Sequence, residues 1–228
     1  MAAIWMLVLA GAIAAVLMLR GLGAATEATD QADDLRNRLL MESAIETVMA
    51  DRQFNGPRGR WWLLPATGDV DVDGVKVEVR LSSESGRLDI NEADPALIDR
   101  ALIGLGLAGV DRAALIAHLR GLRSQGGRIG SFAELRRLVD GAGGRACALE
   151  ALTFSSALAE PGGGELNDAL AKALGRTVVN GANPATAGST LRFEIMSAGG
   201  APAVRLVRSG ISSGAIEVLD HSSGKLCQ

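Results

Sequence analysis

The sequence predicts an α+β fold in which a long N-terminal helix packs on an antiparallel sheet and an all-helical module is inserted into that sheet. Three observations carry the prediction. Residues 24–52 contain neither glycine nor proline. Hydrophobic periodicity is two in 68–81 and again in 191–220. Between those segments the period switches to 3.6, with glycine clusters separating short helical stretches. The chain therefore divides into a helix over 1–55, the first part of an α/β head over 56–87, a helical insertion over 88–158 and the second part of the head over 159–228.

Residues 2–19, "AAIWMLVLAGAIAAVLML", carry no charge and no proline. As a helix they span roughly 27 Å, close to the ~30 Å hydrocarbon core of a bilayer. A segment apolar on all sides at this end of a chain suits a membrane anchor better than a soluble core helix. A secretory signal peptide would begin with Lys or Arg, and here none precedes Arg20. Beyond Ala24 the residues are mostly good helix formers, so the helix is expected to continue to "NGP" at 55–57. Leu35, Leu39, Ile45 and Met49 share one face, on which Arg38 and Glu42 can pair at i,i+4.

The segment "GDVDVDGVKVEVRL" (68–81) opens like a calcium-binding loop, D-x-D-x-D-G. Position twelve of such a loop needs a bidentate Glu, and it is Arg80. Strict alternation around Asp73-Gly74 instead reads as a hairpin with a two-residue turn. Its register sets Val72 against Val75, Val70 against Val77 and Asp71 against Lys76.

Asp94-Pro95 reads as an N-cap followed by proline at the first helical position, opening a helix over 96–105. "GLGLAG" (104–109) breaks it, and a second helix follows over 110–122 with Ala113, Ile116 and Leu119 on one side. "SFAE" (131–134) is a capping box, Ser131 with Glu134, and starts a third helix carrying Leu135 and Leu138. "ACALEAL" (146–152) makes a short fourth. After the "PGGG" loop (161–164), "ELNDALAKALGR" (165–176) reads as an amphipathic helix. Strands are expected over 191–197, 203–208 and 215–220, with Phe193, Ile195, Val204, Leu206, Ile216 and Val218 alternating with polar residues.

Composition narrows the function. The formal net charge is −3, against the basic excess of a general polyanion binder. Tyrosine is absent, and three Trp and four Phe leave few platforms for stacking bases. The two cysteines, Cys147 and Cys227, show no zinc-ligand spacing. They fit one disulfide in an oxidising compartment, or equally two free thiols. Neither His118 nor His221 belongs to a nucleophile or zinc-protease motif. The Gly104–Gly109 stretch follows a helix and so is no dinucleotide loop. No catalysis is expected.

The run Gly86, Arg87, Leu88, Asp89, Ile90, Asn91 before the first inserted helix, with Phe132, Glu134 and Leu135 at the later one, resembles two families. One is the minor pseudopilin K of type II secretion. The other is the membrane-anchored competence DNA receptor of the ComEA type, which carries a helix-hairpin-helix domain. The likeness to pseudopilin K covers nearly the whole chain, whereas the receptor likeness covers only about its middle third. The pseudopilin resemblance implies a pilin-like fold whose α/β head is split by a SAM or helix-hairpin-helix-like insertion. It implies a single-pass inner-membrane protein, anchored through residues 2–19, with its head in the periplasm. It also implies partners, the I- and J-type minor pseudopilins and the inner-membrane secretion platform, at the tip of a fibre that helps export folded proteins. Some members of that family bind calcium. Here His118-Leu119-Arg120-Gly121 keeps the family's Arg at the end of the second inserted helix but lacks its Trp and Asp, so no cofactor or metal is expected.

A DNA-binding hairpin presents the N–H groups of a Gly-h-Gly loop to phosphate and places basic residues just after it. Gly104-Leu105-Gly106 has that form, but Leu107, Ala108, Gly109, Val110 and Asp111 follow. Residues 87–145 hold nine Arg and seven acids, a nearly balanced surface. Nucleic-acid binding is therefore the lesser expectation.

Overall fold

The computed structural model describes residues 2–107, 109–141, 148–162, 166–177, 183–184, 189–197, 203–209 and 216–223. Side chains are described for these except 2–26, 30, 110, 141, 183–184, 197, 209 and 216–223. Cys147 and Cys227, the candidate disulfide pair, lie outside the described residues.

Helix α1 (Ala2–Asn55) runs unbroken to the predicted stop, where Pro57 enters a 3-10 turn. Residues 1–43 and 44–228 form two separate units. In the second unit, Ala44, Ile45, Val48 and Met49 are buried on the last turns of α1. Leu35 and Leu39, expected on the same face as Ile45 and Met49, are 57% and 53% exposed. The buried stripe instead follows 44, 45, 48 and 49, the i,i+4 spacing of a helix that winds 3.6 residues per turn. Among the described residues no helix is long and apolar enough to cross a membrane. The side chains of residues 2–19, where the anchor is expected, lie outside the description.

Strand β1 (Leu63–Leu64) precedes the hairpin of β2 (Ala66–Val72) and β3 (Val75–Ser83). The hairpin register is the predicted one, with Val70 opposite Val77, Asp71 opposite Lys76 and Val72 opposite Val75. Asp73 and Gly74 have φ of 52° and 78°, the left-handed pair that a type I′ turn requires. The D-x-D-x-D-G run is therefore strand and turn, with Asp71 Oδ1 accepting from Gly74 N at 2.9 Å.

The chain then leaves the sheet. Strand β4 (Leu88–Asp89) leads into α2 (Pro95–Gly104), α3 (Gly109–Ser124), α4 (Phe132–Gly141) and α5 (Ala148–Ala151). Asp94 caps α2, accepting from Ala96 N at 2.7 Å, as the Asp-Pro pair predicts. On α3 the buried residues are Leu115, Ile116 and Leu119, whereas Ala113, expected beside them, is exposed. Strand β5 (Leu152–Thr153) pairs in parallel with β4, and α6 (Asp168–Leu174) follows. Helix α6 covers only the middle of the predicted 165–176, between Asn167 at its N-cap and left-handed Gly175 at its C-cap.

Strands β6 (Asn183–Pro184), β7 (Thr190–Ser197), β8 (Ala203–Ser209) and β9 (Ile216–Ser223) complete the fold. The main sheet has the order β2-β3-β7-β8-β9, antiparallel throughout, and β1 pairs with β6 separately. Thus β3 and β7 are direct neighbours, with Val79 opposite Ile195, although the whole helical module lies between them in sequence.

Two cores result from this insertion. Val77, Val79, Leu81, Leu191, Phe193 and Ile195 share one buried face of the sheet. Val204 and Leu206 stand opposite Glu194 and Arg192, on the other face. They belong to a second core with Leu88, Ile98, Leu102, Phe132, Leu135, Leu149 and Leu170. Simple alternation placed Phe193 and Val204 in one set, but the inserted module covers the second face and buries Val204 there. Helix α6 also joins this module: Leu170 and Ala171 lie in its core, and Gly104 of α2 is so close to α6 that a Cβ there would meet the Ala173 Cα at 2.4 Å.

Candidate functional site

The motif residues gather at the neck where the module leaves and rejoins the sheet. Ser83 ends β3, and its Oγ accepts from Ser85 N at 3.1 Å, closing a tight turn over 84–86. That turn carries Glu84 inward. Its carboxylate is fully buried and receives Arg192 Nε at 2.6 Å and Arg192 Nη2 at 3.3 Å, a two-pronged contact, with Arg87 Nη1 at 3.2 Å. Burial pushes the Glu84 carboxyl up, but the Arg192 and Arg87 guanidiniums, with hydrogen bonds from Thr153 and Arg192, hold it below the ordinary glutamate value.

Arg87 reaches two further segments. Its Nε donates to the Glu150 carbonyl at 2.9 Å, and its Nη1 donates to the Ser83 carbonyl at 2.9 Å and to Ser82 Oγ at 3.3 Å. Burial, and then the Arg192 charge, bring its guanidinium down to about 10. Arg192 also donates to the Leu152 carbonyl at 3.4 Å and lies 5.1 Å over the Phe132 ring, which meets Phe154 edge-on at 5.4 Å.

The rest of the motif is spent in the same way. Gly86 is buried, and its carbonyl accepts from Asn167 N at 3.0 Å, tying the turn to the cap of α6. Leu88 and Ile90 fill the module core. Asp89 Oδ1 accepts from Asn91 N at 2.9 Å, and Oδ2 accepts from Ala157 N at 2.8 Å and Ser156 Oγ at 3.1 Å. Burial outweighs these bonds and raises the Asp89 carboxyl above the usual value. Asn91 Nδ2 donates to the carbonyls of Ile129 and Phe154, both at 2.9 Å, while its Oδ1 accepts from Ile129 N at 2.8 Å. One amide thus stitches together three stretches of backbone.

At the later helix, Phe132 and Leu135 are core residues. Glu134 N donates to Ser131 Oγ at 3.2 Å, as the capping box predicts. The Glu134 carboxylate accepts from Gly130 N at 3.1 Å, one residue before the cap. Gly86, Arg87, Leu88, Ile90, Asn91, Phe132, Glu134 and Leu135 are therefore brought together as one scaffold. Glu84 and Arg192 escaped the sequence reading. Glu84 sits in an unremarkable "SSESG", and Arg192 occupies a strand position that alternation assigns to solvent.

The Gly-h-Gly loop is likewise committed to the fold. Leu105 N, Gly106 N and Leu107 N donate to the carbonyls of Ala101, Ile103 and Leu102 at 2.9, 3.0 and 2.9 Å. Those are the donors a phosphate would need. Around it, Arg112 pairs with Asp99 at 2.7 Å, Arg128 pairs with Glu92, and Arg123 donates to the carbonyls of Ala93 and Ile90. His118 is exposed on α3. Among the described residues no group of His, Cys, Asp or Glu is placed to hold a metal ion.

What this arrangement can do chemically is hold two layers together. Its charges face one another in a buried site, and its hydrogen-bonding groups are mostly turned onto backbone, with Arg192 Nη1 left without a hydrogen bond. No protein-family model matches the sequence, and comparison with curated proteins returns no match.

Proposed function

We propose that this chain is a non-enzymatic minor pseudopilin of the K type, a tip component of the type II secretion pseudopilus that assists export of folded proteins across the outer membrane. The observation that carries the proposal is the split sheet: β3 ends at Ser83, its antiparallel neighbour β7 begins at Thr190, and between them stands a mainly helical module, not all-helical as expected because the short parallel pair β4-β5 closes its base. A helix of 54 residues precedes this head. The polar residues of the Gly86–Asn91 motif serve the junction, which suits a scaffold whose business is shape.

In this reading residues 2–19 anchor the chain in the inner membrane, the head lies in the periplasm, and the partners are I- and J-type minor pseudopilins. The DNA-receptor reading is the weaker one, because the loop N–H groups that would take phosphate already cap α2. A secretion assay tests the proposal. Removing this chain from its host is expected to leave folded cargo in the periplasm, and re-expression is expected to restore export. Undiminished secretion in the deletion strain, with loss of DNA uptake instead, would favour the receptor.

A further inference from the structure

The main sheet has an outer strand, β2, whose far edge pairs with no other strand among the described residues. The hairpin register fixes which backbone groups face that edge. In a two-residue hairpin the pair flanking the turn, Val72 and Val75, is hydrogen-bonded, so Val70 and Gly68 also bond inward to β3. Thr67, Asp69 and Asp71 therefore turn their N–H and C=O groups outward. One contact bears this out: Arg60 Nη2 donates to the Asp69 carbonyl at 3.0 Å.

Protected edge strands are short, bulged, covered, or furnished with Pro or charged side chains, Lys above all. Strand β2 is seven residues long, pairs with β3 without a register shift, contains neither Lys nor Pro, and carries Asp69 and Asp71 as its charges. Among the described residues, Arg60 is the side chain that bonds its outward backbone. A Cβ on Gly68 would meet Arg60 Nη2 at 1.8 Å, so glycine is what lets the guanidinium lie against the strand, while its other face stacks 4.6 Å from the Trp61 ring.

The side chains along this edge define what fits. Val70 and Val72 are buried on one face. On the other, Thr67, Asp69 and Asp71 are exposed; Asp71 has Lys76 opposite it, but Asp69 has Glu78 opposite it. Asp69 and Glu78 are thus a like-charged pair, with Lys76 and Arg80 flanking Glu78 along β3, so Asp69 has no basic residue directly across from it. A second copy of β2 laid alongside would set Asp against Asp, which is unfavourable for cross-strand neighbours. An incoming strand with a basic residue opposite Asp69 and apolar residues flanking it satisfies both faces and the open hydrogen bonds.

We propose that the outer edge of β2 is a docking site for an extended strand of a partner chain in which basic and apolar residues alternate, and that Arg60 occupies the edge when the partner is absent. This goes beyond the pseudopilin reading and does not depend on it. The test is a fluorescence-anisotropy titration of the full chain with a labelled peptide of alternating Val and Lys. A peptide N-methylated along the pairing edge and one of alternating Val and Glu serve as controls.

The expected result is saturable binding of the Val-Lys peptide and little binding of either control. Arg60→Ala is expected to bind about fivefold tighter, since one net hydrogen bond of ~1 kcal/mol no longer competes. Asp69→Pro removes an outward N–H without touching the β3 ladder and is expected to abolish binding. Equal binding of the N-methylated peptide, or no binding even to Arg60→Ala, overturns the proposal. The peptide control keeps the test decisive should Asp69→Pro fail to fold.

Discussion

Arg192 Nε and the Glu84 carboxylate meet at 2.6 Å, both side chains wholly buried, although the residues stand 108 apart in the chain. Glu84 follows β3 directly and Arg192 is the third residue of β7, so the pair joins the point where the chain leaves the sheet to the point where it returns. Arg87, which follows the 84–86 turn directly, shares the same carboxylate.

Glu84→Ala is expected to be severely destabilising. It leaves two guanidiniums in a dry site with no shared counter-ion, and removing one partner of a buried pair costs about 3–5 kcal/mol. Arg192→Met is expected to cost less, because Glu84 keeps Arg87 and the methylene volume is retained. Urea denaturation of both variants checks the order, read from the midpoint at unchanged slope.

The same cluster sets an acid limit. The Glu84 pKa is lower in the folded chain than in the unfolded one, so its contribution is present above the unfolded value and is lost as pH falls through the folded value. The raised Asp89 pKa works in the opposite sense: its ionised form disfavours the fold, and acid relieves that cost. Stability measured from neutral pH down through the carboxylate range is expected to fall more steeply for the native chain than for Glu84→Gln. Parallel profiles would contradict this.

Asn91→Ala removes two donors and one acceptor from buried backbone groups of Ile129 and Phe154. Leaving such groups unpaired costs about 1–3 kcal/mol each, so a total loss on the order of 3 kcal/mol or more is expected. Hydrogen exchange of the Ile129 amide, which Asn91 Oδ1 accepts, is expected to accelerate in the variant beyond the global change.

Two glycine substitutions of the same chemistry are expected to differ in sign. At Gly104 an added methyl meets the Ala173 Cα and carbonyl, both at 2.4 Å, and forces α2 from α6, at a cost of roughly 1–3 kcal/mol. At Gly121, within α3, nothing lies within 4 Å, and alanine is expected to stabilise by about 0.5–1 kcal/mol. Thermal melts of Gly104→Ala and Gly121→Ala decide it.

Much of the fold was legible because local chemistry decided it. The Asp73-Gly74 turn set the hairpin register, Asp94-Pro95 placed the start of α2, and Ser131 with Glu134 placed the start of α4. What was not legible depends on contacts distant in sequence. Arg192 looks like a solvent-facing residue of an alternating strand until the module covers that face. Helix α6, read as part of the head, packs on α2 because Gly104 admits it. Leu35 and Leu39 match a helical period as well as Met49 does, and periodicity alone cannot say which stretch of a long helix has a neighbour. Of the motif, the residue types were visible but their use was not: Arg87 and Asn91 could have served a ligand, and the structure turns them onto backbone.

The most direct test of the central reading is association with the partners it names. The full chain, tagged and extracted in detergent, is incubated with I- and J-type minor pseudopilins, and in parallel with duplex DNA, at low and high salt. A complex with both pseudopilins that survives high salt, and no retained DNA at low salt, is the expected result. Duplex binding that falls steeply with salt, with neither pseudopilin recovered, would contradict it.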